Sequence, residues 1–447
     1  MKYLFVFIVC CFSLFSCKKA EIQNTSISSI ERFFDTIVKP YIDSAKIAGL
    51  SVEVMKGDSA LMHKSYGYAD LEFKTPMPEN ASFEIGSVTK QFTAAAILQQ
   101  VESGKLALED DITKYIKFNT QGHKVTVRHL LSHTSGIKGY TELPVFQKVA
   151  MFKYPKDTLL KLIEKEKFDF NPGEALIYNN TGFFMLGLIL EKITGKSYED
   201  YVKENLFDKA GMHHSYYCHE NLIVPNQAHG YDMGDKGLEH AGYLDQTWPY
   251  AAGSLCSTAE DLCKWNEALH HNKILKLDSY KEFLTPAVLN NGSVTHYAKG
   301  ITVTKDHGQT MIEHGGGING FLSENRYYPK ENLSIVVLIN STGPVRPGEL
   351  ADRLANHLLG DENKINGKFQ GDLSKFPGTY TGRGRGEEIQ IKIEKRDSTL
   401  ILKKGDSTKS LIFIEGNTWR DAHDTYIFND KSMYIDQVYG FLILQRK

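Results

Sequence analysis

The feature that most constrains the fold of this chain is a change of hydrophobic period near residue 376. From Phe376 to Lys447 the apolar residues come in short alternating runs, Ile389-Gln-Ile-Lys-Ile393, Leu400-Ile-Leu402 and Leu411-Ile-Phe-Ile414, separated by charged or glycine turns. Period two with frequent turns specifies strands with one buried face, and so a small all-β sheet or barrel. Upstream the pattern is mixed. Ile30 to Ala45 places Ile30, Phe33, Phe34, Ile37 and Tyr41 on one helical face. Leu50 to Met55 alternates, turns at Gly57-Asp58 and returns as Leu61 to Tyr68, a strand pair. Ser87 to Ser103 reads as a helix closed by Gly104. From Thr126 to about Asn340 helical stretches alternate with glycine-rich turns, ending in strand character from Met311, with Leu333 to Ile339 a buried strand. A helix around Gly348 to Leu359 and a polar stretch follow. The expected division is an α/β unit over 30–362, a linker over 363–375 and the all-β unit over 376–447.

The N-terminus differs in kind. Lys2 and Tyr3 precede an unbroken apolar run from Leu4 to Phe12, a charged start and a core too short to span a bilayer comfortably, which reads as a secretory signal. The alternative, a buried helix, would have no polar face. Leu14-Phe15-Ser16-Cys17 resembles a bacterial lipobox, which makes 1–17 a lipoprotein signal, Cys17 the lipidated anchor and 18–29 a polar tether. The membrane is then a partner through the lipid, and the chain is exported to the bacterial envelope, facing the periplasm.

Fifty-two basic residues nearly balance fifty-four acidic ones, so the chain lacks the electrostatic footprint of a nucleic-acid binder. With Cys10, Cys11 and Cys17 assigned to the leader, Cys218, Cys256 and Cys263 remain. An odd number without a C-x-x-C pair indicates neither a disulfide framework nor a zinc site, so all three are expected as small buried hydrophobes.

Chemistry is first suggested by Ser87-Val-Thr-Lys90 at the start of a predicted helix. Residues three apart share a face, so the lysine can reach the hydroxyl, and a helix start aims backbone N–H groups at developing negative charge. Alone, S-x-x-K equally describes a capping serine and a surface lysine. It is joined by Phe170-Asn-Pro-Gly-Glu174 leading into Tyr178-Asn-Asn180, by Gly182 to Glu191, by Leu130-Leu-Ser-His-Thr-Ser-Gly136, by Ala252-Gly-Ser254 and Ser257 to Asp261, and by His314-Gly-Gly-Gly317.

In this order the blocks resemble the serine β-lactamase, D-alanyl-D-alanine carboxypeptidase and esterase superfamily, and Y-x-N points to its class C branch. The resemblance implies an α/β fold of the class C β-lactamase type: an antiparallel sheet flanked by helices, plus an all-helical region. Phe376-Pro-Gly-Thr-Tyr380 resembles the start of the lipocalin-like appendages fused to such hydrolases, and nothing in that unit suggests chemistry. By the same resemblance Ser87 is the nucleophile, Tyr178 the expected base with its phenolate (ordinary pKa of ~10) held by Lys90, and neutral Lys90 the alternative base. Asn180 and His314 bind substrate, and the N–H groups of Ser87 and Gly317 form the oxyanion hole. No cofactor or metal is implied, and the partner is a small-molecule or peptide substrate.

Competing patterns fall away on detail. His129 and His133 lack the glutamate of H-E-x-x-H, Gly195-Lys-Ser197 lacks the first P-loop glycine, and no G-x-S-x-G elbow accompanies His314-Gly-Gly-Gly317. One departure matters for substrate. Where β-lactamases carry Lys-Thr-Gly, this chain has His314-Gly-Gly316, losing a fixed charge that helps to hold a substrate carboxylate. The expectation is therefore an ester or D-residue amide hydrolase, with β-lactam hydrolysis as one alternative and a non-catalytic penicillin- or cell-wall-peptide-binding module as another.

Overall fold

The computed structural model describes residues 15–219, 221–360 and 369–447, with side chains from Ser29 onward. The apolar leader and the Cys17 side chain lie outside the described residues. The first unit contains α1 (Phe15–Asp43), the hairpin β1 (Gly49–Lys56) and β2 (Ser59–Asp70), α2 (Thr89–Glu102), the two-residue β3 (Leu176–Ile177), α3 (Asn180–Thr194) and α4 (Ala259–His270). It continues through β4 (Thr302–Asp306), β5 (Gln309–Ile318), β6 (Phe321–Tyr328), β7 (Leu333–Ile339) and α5 (Pro347–Leu359). These strands form an antiparallel sheet in the order β4-β5-β6-β7-β1-β2, extended by the short strand Thr75–Pro76.

Strand β7 shows why the sheet is sandwiched. All seven of its residues are buried, so both faces are covered. Ile335, Val337 and Ile339 pack with Phe34 and Val38 of α1 and Leu350 and Leu354 of α5, while Val336 and Leu338 join the larger core around α2, α3 and α4. Helix α1 runs through 18–29, the stretch expected as a tether. Its polar residues include no glycine or proline before Pro40, so composition there does not interrupt a helix.

The second unit has nine strands among the described residues: β8 (Gly378–Arg383), β9 (Glu388–Arg396), β10 (Thr399–Lys404), β11 (Ser407–Ser410), β12 (Ile412–Glu415), β13 (Thr418–Arg420), β14 (Thr425–Phe428), β15 (Ser432–Gln437) and β16 (Gly440–Arg446). Their order β11-β10-β9-β8-β16-β15-β14-β13-β12 brings the two end strands together at Leu411, giving a nearly closed barrel. The alternation read from sequence is realised, with Ile389, Ile391 and Ile393 all facing the barrel core. Phe369 and Leu373, expected in the linker, pack into that core as well. Strand β16 also pairs with β3 of the first unit, Gly440 opposite Ile177 and Phe441 opposite Leu176, so the barrel is stitched to the segment that carries Tyr178.

The cysteine expectation needs correction. Cys218 and Cys256 form a disulfide, and among the described residues Cys263 is the free buried thiol. The strands Tyr216–Tyr217 and Leu255–Ser257 pair with Tyr216 opposite Cys256, which brings the two Cα atoms to 5.4 Å. Parity and local spacing cannot reveal a partner 38 residues away. The loop-closure argument gives such a cross-link about 2–4 kcal/mol. A Cys218→Ser/Cys256→Ser protein is expected to lose that much in equilibrium unfolding, measured against the oxidised wild type.

Candidate active site

Ser87 sits in a 3-10 turn, Gly86–Val88, that leads directly into α2. Gly86 has φ +49°, and a Cβ there would stand 3.0 Å from the backbone of Gly317, so glycine is required both by conformation and by the approach of β5. Lys90, one turn on, is fully buried. Its Nζ donates to Asn180 Oδ1 at 2.9 Å and to the Ala252 carbonyl at 2.8 Å, and lies 3.2 Å from Ser87 Oγ. None of these partners is anionic. Burial, aided by the charge of Arg385, pushes the Lys90 pKa well below its ordinary value.

The Tyr178-x-Asn180 segment is held by the block around His133. Ile177 N–H donates to the His133 carbonyl, Asn179 N–H donates to His133 Nδ1 at 3.1 Å, and the Asn179 side chain caps α3 by accepting from Gly182 N–H. His133 is thus a buried scaffold side chain, its ring 4.3 Å from that of Tyr178, and its pKa is driven well down by burial. His129 completes a capping box with Thr126. With Oδ1 of Asn180 committed to Lys90, its Nδ2 hydrogens remain for the cavity.

Tyr178 departs from the expected phenolate. Its hydroxyl is buried, close enough to Ser87 for that hydroxyl to favour ionisation but not aligned for a hydrogen bond. Burial outweighs this help and the charge of Arg385, and raises the phenol above its ordinary range. Lys90 meets Tyr178 at the ring face, Nζ 4.8 Å from the centroid, rather than at the oxygen. The lysine is shifted towards the neutral amine and the tyrosine towards the neutral phenol.

His314 lines the cavity but is also fully engaged. Its Nδ1 donates to the Gly315 carbonyl at 2.6 Å, which leaves Nε2 to accept from Tyr297 Oη at 3.0 Å. Burial and nearby Lys90 lower its pKa to about 3. It stands on the cavity wall as a neutral imidazole. Gly316 presses on the nucleophile turn: a Cβ there would lie 2.1 Å from the Ile85 carbonyl. Gly315 N–H donates to Tyr439 Oη at 2.6 Å, across the edge of β5 that β4 no longer covers beyond Glu313. Strand alternation turns the N–H of Gly317 to that same free edge.

Two side chains that the sequence did not flag come from the barrel. Tyr439, in the β15–β16 turn, stacks on His314 with centroids 5.0 Å apart. Arg385, in the β8–β9 hairpin, lies 5.6 Å above the Tyr178 ring. The cavity in front of Ser87, about 1000 Å³, runs from Tyr178, Asn180 and the glycine strand into the barrel mouth. A smaller pocket of about 170 Å³, walled by Tyr140, Phe146, Leu244 and Pro249, opens on the other side of Ser87.

Known proteins place this arrangement. Over 328 residues the chain is 29% identical to penicillin-binding protein 4* of Bacillus subtilis, covering 69% of this chain and 72% of that one. It is 27% identical over 335 residues to protein flp of Staphylococcus aureus, covering 72% of this chain and 64%, just under two thirds, of flp. The octameric penicillin-binding protein homologue from Pyrococcus abyssi superposes with a TM-score of 0.65 at 25% identity over 92% of this chain and 99% of its own. A D-stereospecific amidohydrolase from Streptomyces shares the fold alone, with a TM-score of 0.61 at 22% identity over 73% of this chain and 97% of its own. Residues 34–359, from the second half of α1 through the sheet to the end of α5, match the Beta-lactamase family, and the chain belongs to it.

Proposed function

We propose that this chain is an exported serine hydrolase that forms an acyl-enzyme on Ser87 and cleaves an ester, or an amide next to a D-residue. The observation that carries the reading is the environment of Lys90. A neutral amine has two N–H donors and one lone pair. In that form Asn180 Oδ1 and the Ala252 carbonyl, which can only accept, take the two N–H groups, and the lone pair is free for the proton of the Ser87 hydroxyl 3.2 Å away; the downward shift of the Lys90 pKa favours this form.

Ser87 Oγ then attacks the substrate carbonyl as its proton passes to Lys90. The negative oxygen of the tetrahedral intermediate is met by the N–H groups of Ser87 and Gly317. Tyr178, held as a neutral phenol, is placed to hand a proton to the departing amine or alkoxide and to take one back from the water that attacks the acyl-enzyme, while Lys90 returns its proton to Ser87. Water attacking the acyl-enzyme by the reverse route releases the acid and restores Ser87. A neutral His314 with both nitrogens committed does not replace the lysine of β-lactamases, which supports an ester or D-peptide over a β-lactam. The small pocket, with Tyr140, Phe146, Leu244 and Pro249 on its wall, is suited to one small side chain beside the reacting carbonyl. Export through the leader, with Cys17 carrying lipid, is supported by the Cys218–Cys256 disulfide, a bond typical of oxidising compartments.

The test is covalent. A fluorophosphonate is expected to add once to the wild type, with the adduct mapped to Ser87 by peptide mass spectrometry, and not to Ser87→Ala. Turnover of p-nitrophenyl esters should disappear with the same substitution. Equal labelling of both proteins would reject the assignment, and a stable Ser87 adduct without ester turnover would favour the non-catalytic binding module.

A further inference from the structure

The cation that β-lactamases place on the glycine strand is absent here, yet a cation does reach the cavity from the other unit. The β8–β9 hairpin, Arg383-Gly-Arg-Gly-Glu387, projects across the site. Its tip is docked on the first unit: Arg385 Nε donates to Glu142 Oε1 at 2.6 Å, and Nη2 donates to Thr141 Oγ1 at 3.0 Å. Gly386 packs on Glu142 with φ +73°, and a Cβ there would stand 2.8 Å from Glu142 Cγ. The contact is therefore shaped as well as charged.

Arg385 has five N–H donors and uses two in this docking. Three remain, on a guanidinium that lies over the Tyr178 ring, lines the same cavity as Ser87 and is 46% exposed. Of the other charges lining this cavity, Glu324 is paired with Arg326, Lys404 with Glu387 and Lys409 with Asp421; Arg346, at the start of α5, is a further cation on the wall, but Arg385 is the one that lies over the ring of Tyr178 beside Ser87. The Glu142 carboxylate, mostly buried, meets only the Nε edge, so it orients the guanidinium without covering its outer Nη hydrogens.

We propose that Arg385, supplied by the barrel, binds a carboxylate of the substrate on the group that departs from Ser87, and that Glu142 positions it. Resting on the reading of Ser87 as an acyl-transfer nucleophile, this gives the substrate class as peptides or depsipeptides with a free carboxylate on the leaving residue. The barrel is then a specificity element, and the anionic anchor has moved from the glycine strand to a second domain.

The experiment compares kcat/KM for N-acetyl-D-alanyl-D-alanine and its C-terminal amide, in wild type, Arg385→Ala, Arg385→Lys and Glu142→Gln. Wild type is expected to favour the acid. The acid-to-amide ratio should fall about 10- to 100-fold in Arg385→Ala, the range of a charge-assisted hydrogen bond. Arg385→Lys should fall between them, because the charge is kept and the fork lost. Glu142→Gln should lower the ratio less than Arg385→Ala. A merely structural hairpin would reduce both substrates alike and leave the ratio unmoved. An unmoved ratio, a wild type indifferent to the carboxylate, or a wild type that turns over p-nitrophenyl esters and neither dipeptide would each overturn the proposal. Absence of ester turnover and of Ser87 labelling in the wild type would instead remove the acyl-enzyme reading on which it rests.

Discussion

Lys90→Met is expected to lower kcat on a p-nitrophenyl ester by about 10³- to 10⁴-fold, the upper end for loss of a positioned general base, while making the folded chain more stable. Methionine keeps the unbranched stem and removes the amine that faces Ser87 Oγ, so Asn180 Oδ1 and the Ala252 carbonyl lose a donor without a change of shape. The stability gain follows from the pKa. Lys90 is fully buried and shifted down, so between its folded and unfolded pKa values the unfolded chain binds the proton and the folded chain does not. Stability then rises with pH across that window. The penalty of burying Lys90 is absent above the unfolded value and grows as pH falls towards the folded one. Thermal melting from pH 6 to 10 should show the variant's advantage widening towards low pH, and kcat of the wild type should fall as acid protonates the amine. A variant that loses activity and also melts lower at every pH would contradict a neutral, costly Lys90. Two orphaned acceptors would offset part of the gain, which is why the pH trend is the decisive readout.

Much of this centre was legible in the sequence because its parts are local. Ser87 and Lys90 are neighbours on one turn, and Tyr178 to Asn180 pass from a strand to a helix start within three residues. The block Leu130 to Gly136 proved to be a frame, since the His133 and Thr134 carbonyls accept from Ile177 and Gly173 and hold the tyrosine loop. What the sequence concealed depends on contacts between distant segments. The Ala252 carbonyl that fixes Lys90 is a backbone atom and leaves no side-chain signature. Arg385 and Tyr439 lie in hairpin turns of a unit whose alternation reports strands and says nothing about which turn faces a neighbour. The pKa directions were hidden for the same reason: burial of Lys90 and Tyr178 is a property of the assembled cavity. Helix α2 shows how far packing can override pattern. Thr89, Lys90, Gln91 and Thr93 are all buried, and Thr93 Oγ1 donates to the Ala251 carbonyl at 2.6 Å, so polar residues here mark an internal network rather than a solvent face.

Gly316→Ala should lower kcat about 10²- to 10³-fold, the cost of disabling an oxyanion contact. The glycines of β5 leave its backbone open to close approach, and the neighbour that approaches is the chain itself. A Cβ at Gly316 would lie 2.1 Å from the Ile85 carbonyl oxygen, 2.2 Å from Ser323 Oγ and 3.1 Å from Ser87 N. Neither of the two closest atoms can yield cheaply, because Ser323 Oγ donates to that same carbonyl at 2.8 Å and pins the turn to β6. The relief available is for the turn that carries Ser87 to move away from β5 by about 1 Å, a displacement that alone can cost 10²-fold in rate. It would separate the Ser87 and Gly317 N–H groups that are to converge on one oxygen. Gly317→Ala provides the comparison, since a Cβ there meets only Leu322 Cδ2 at 3.6 Å, ordinary contact, and its loss should be at least tenfold smaller. Overpacking predicts a stability cost of about 1–3 kcal/mol for Gly316→Ala, so rates belong at a temperature where unfolding curves show the variant folded. Comparable activity for the two alanine variants would mean that the approach of β5 to the Ser87 turn does not build the oxyanion site.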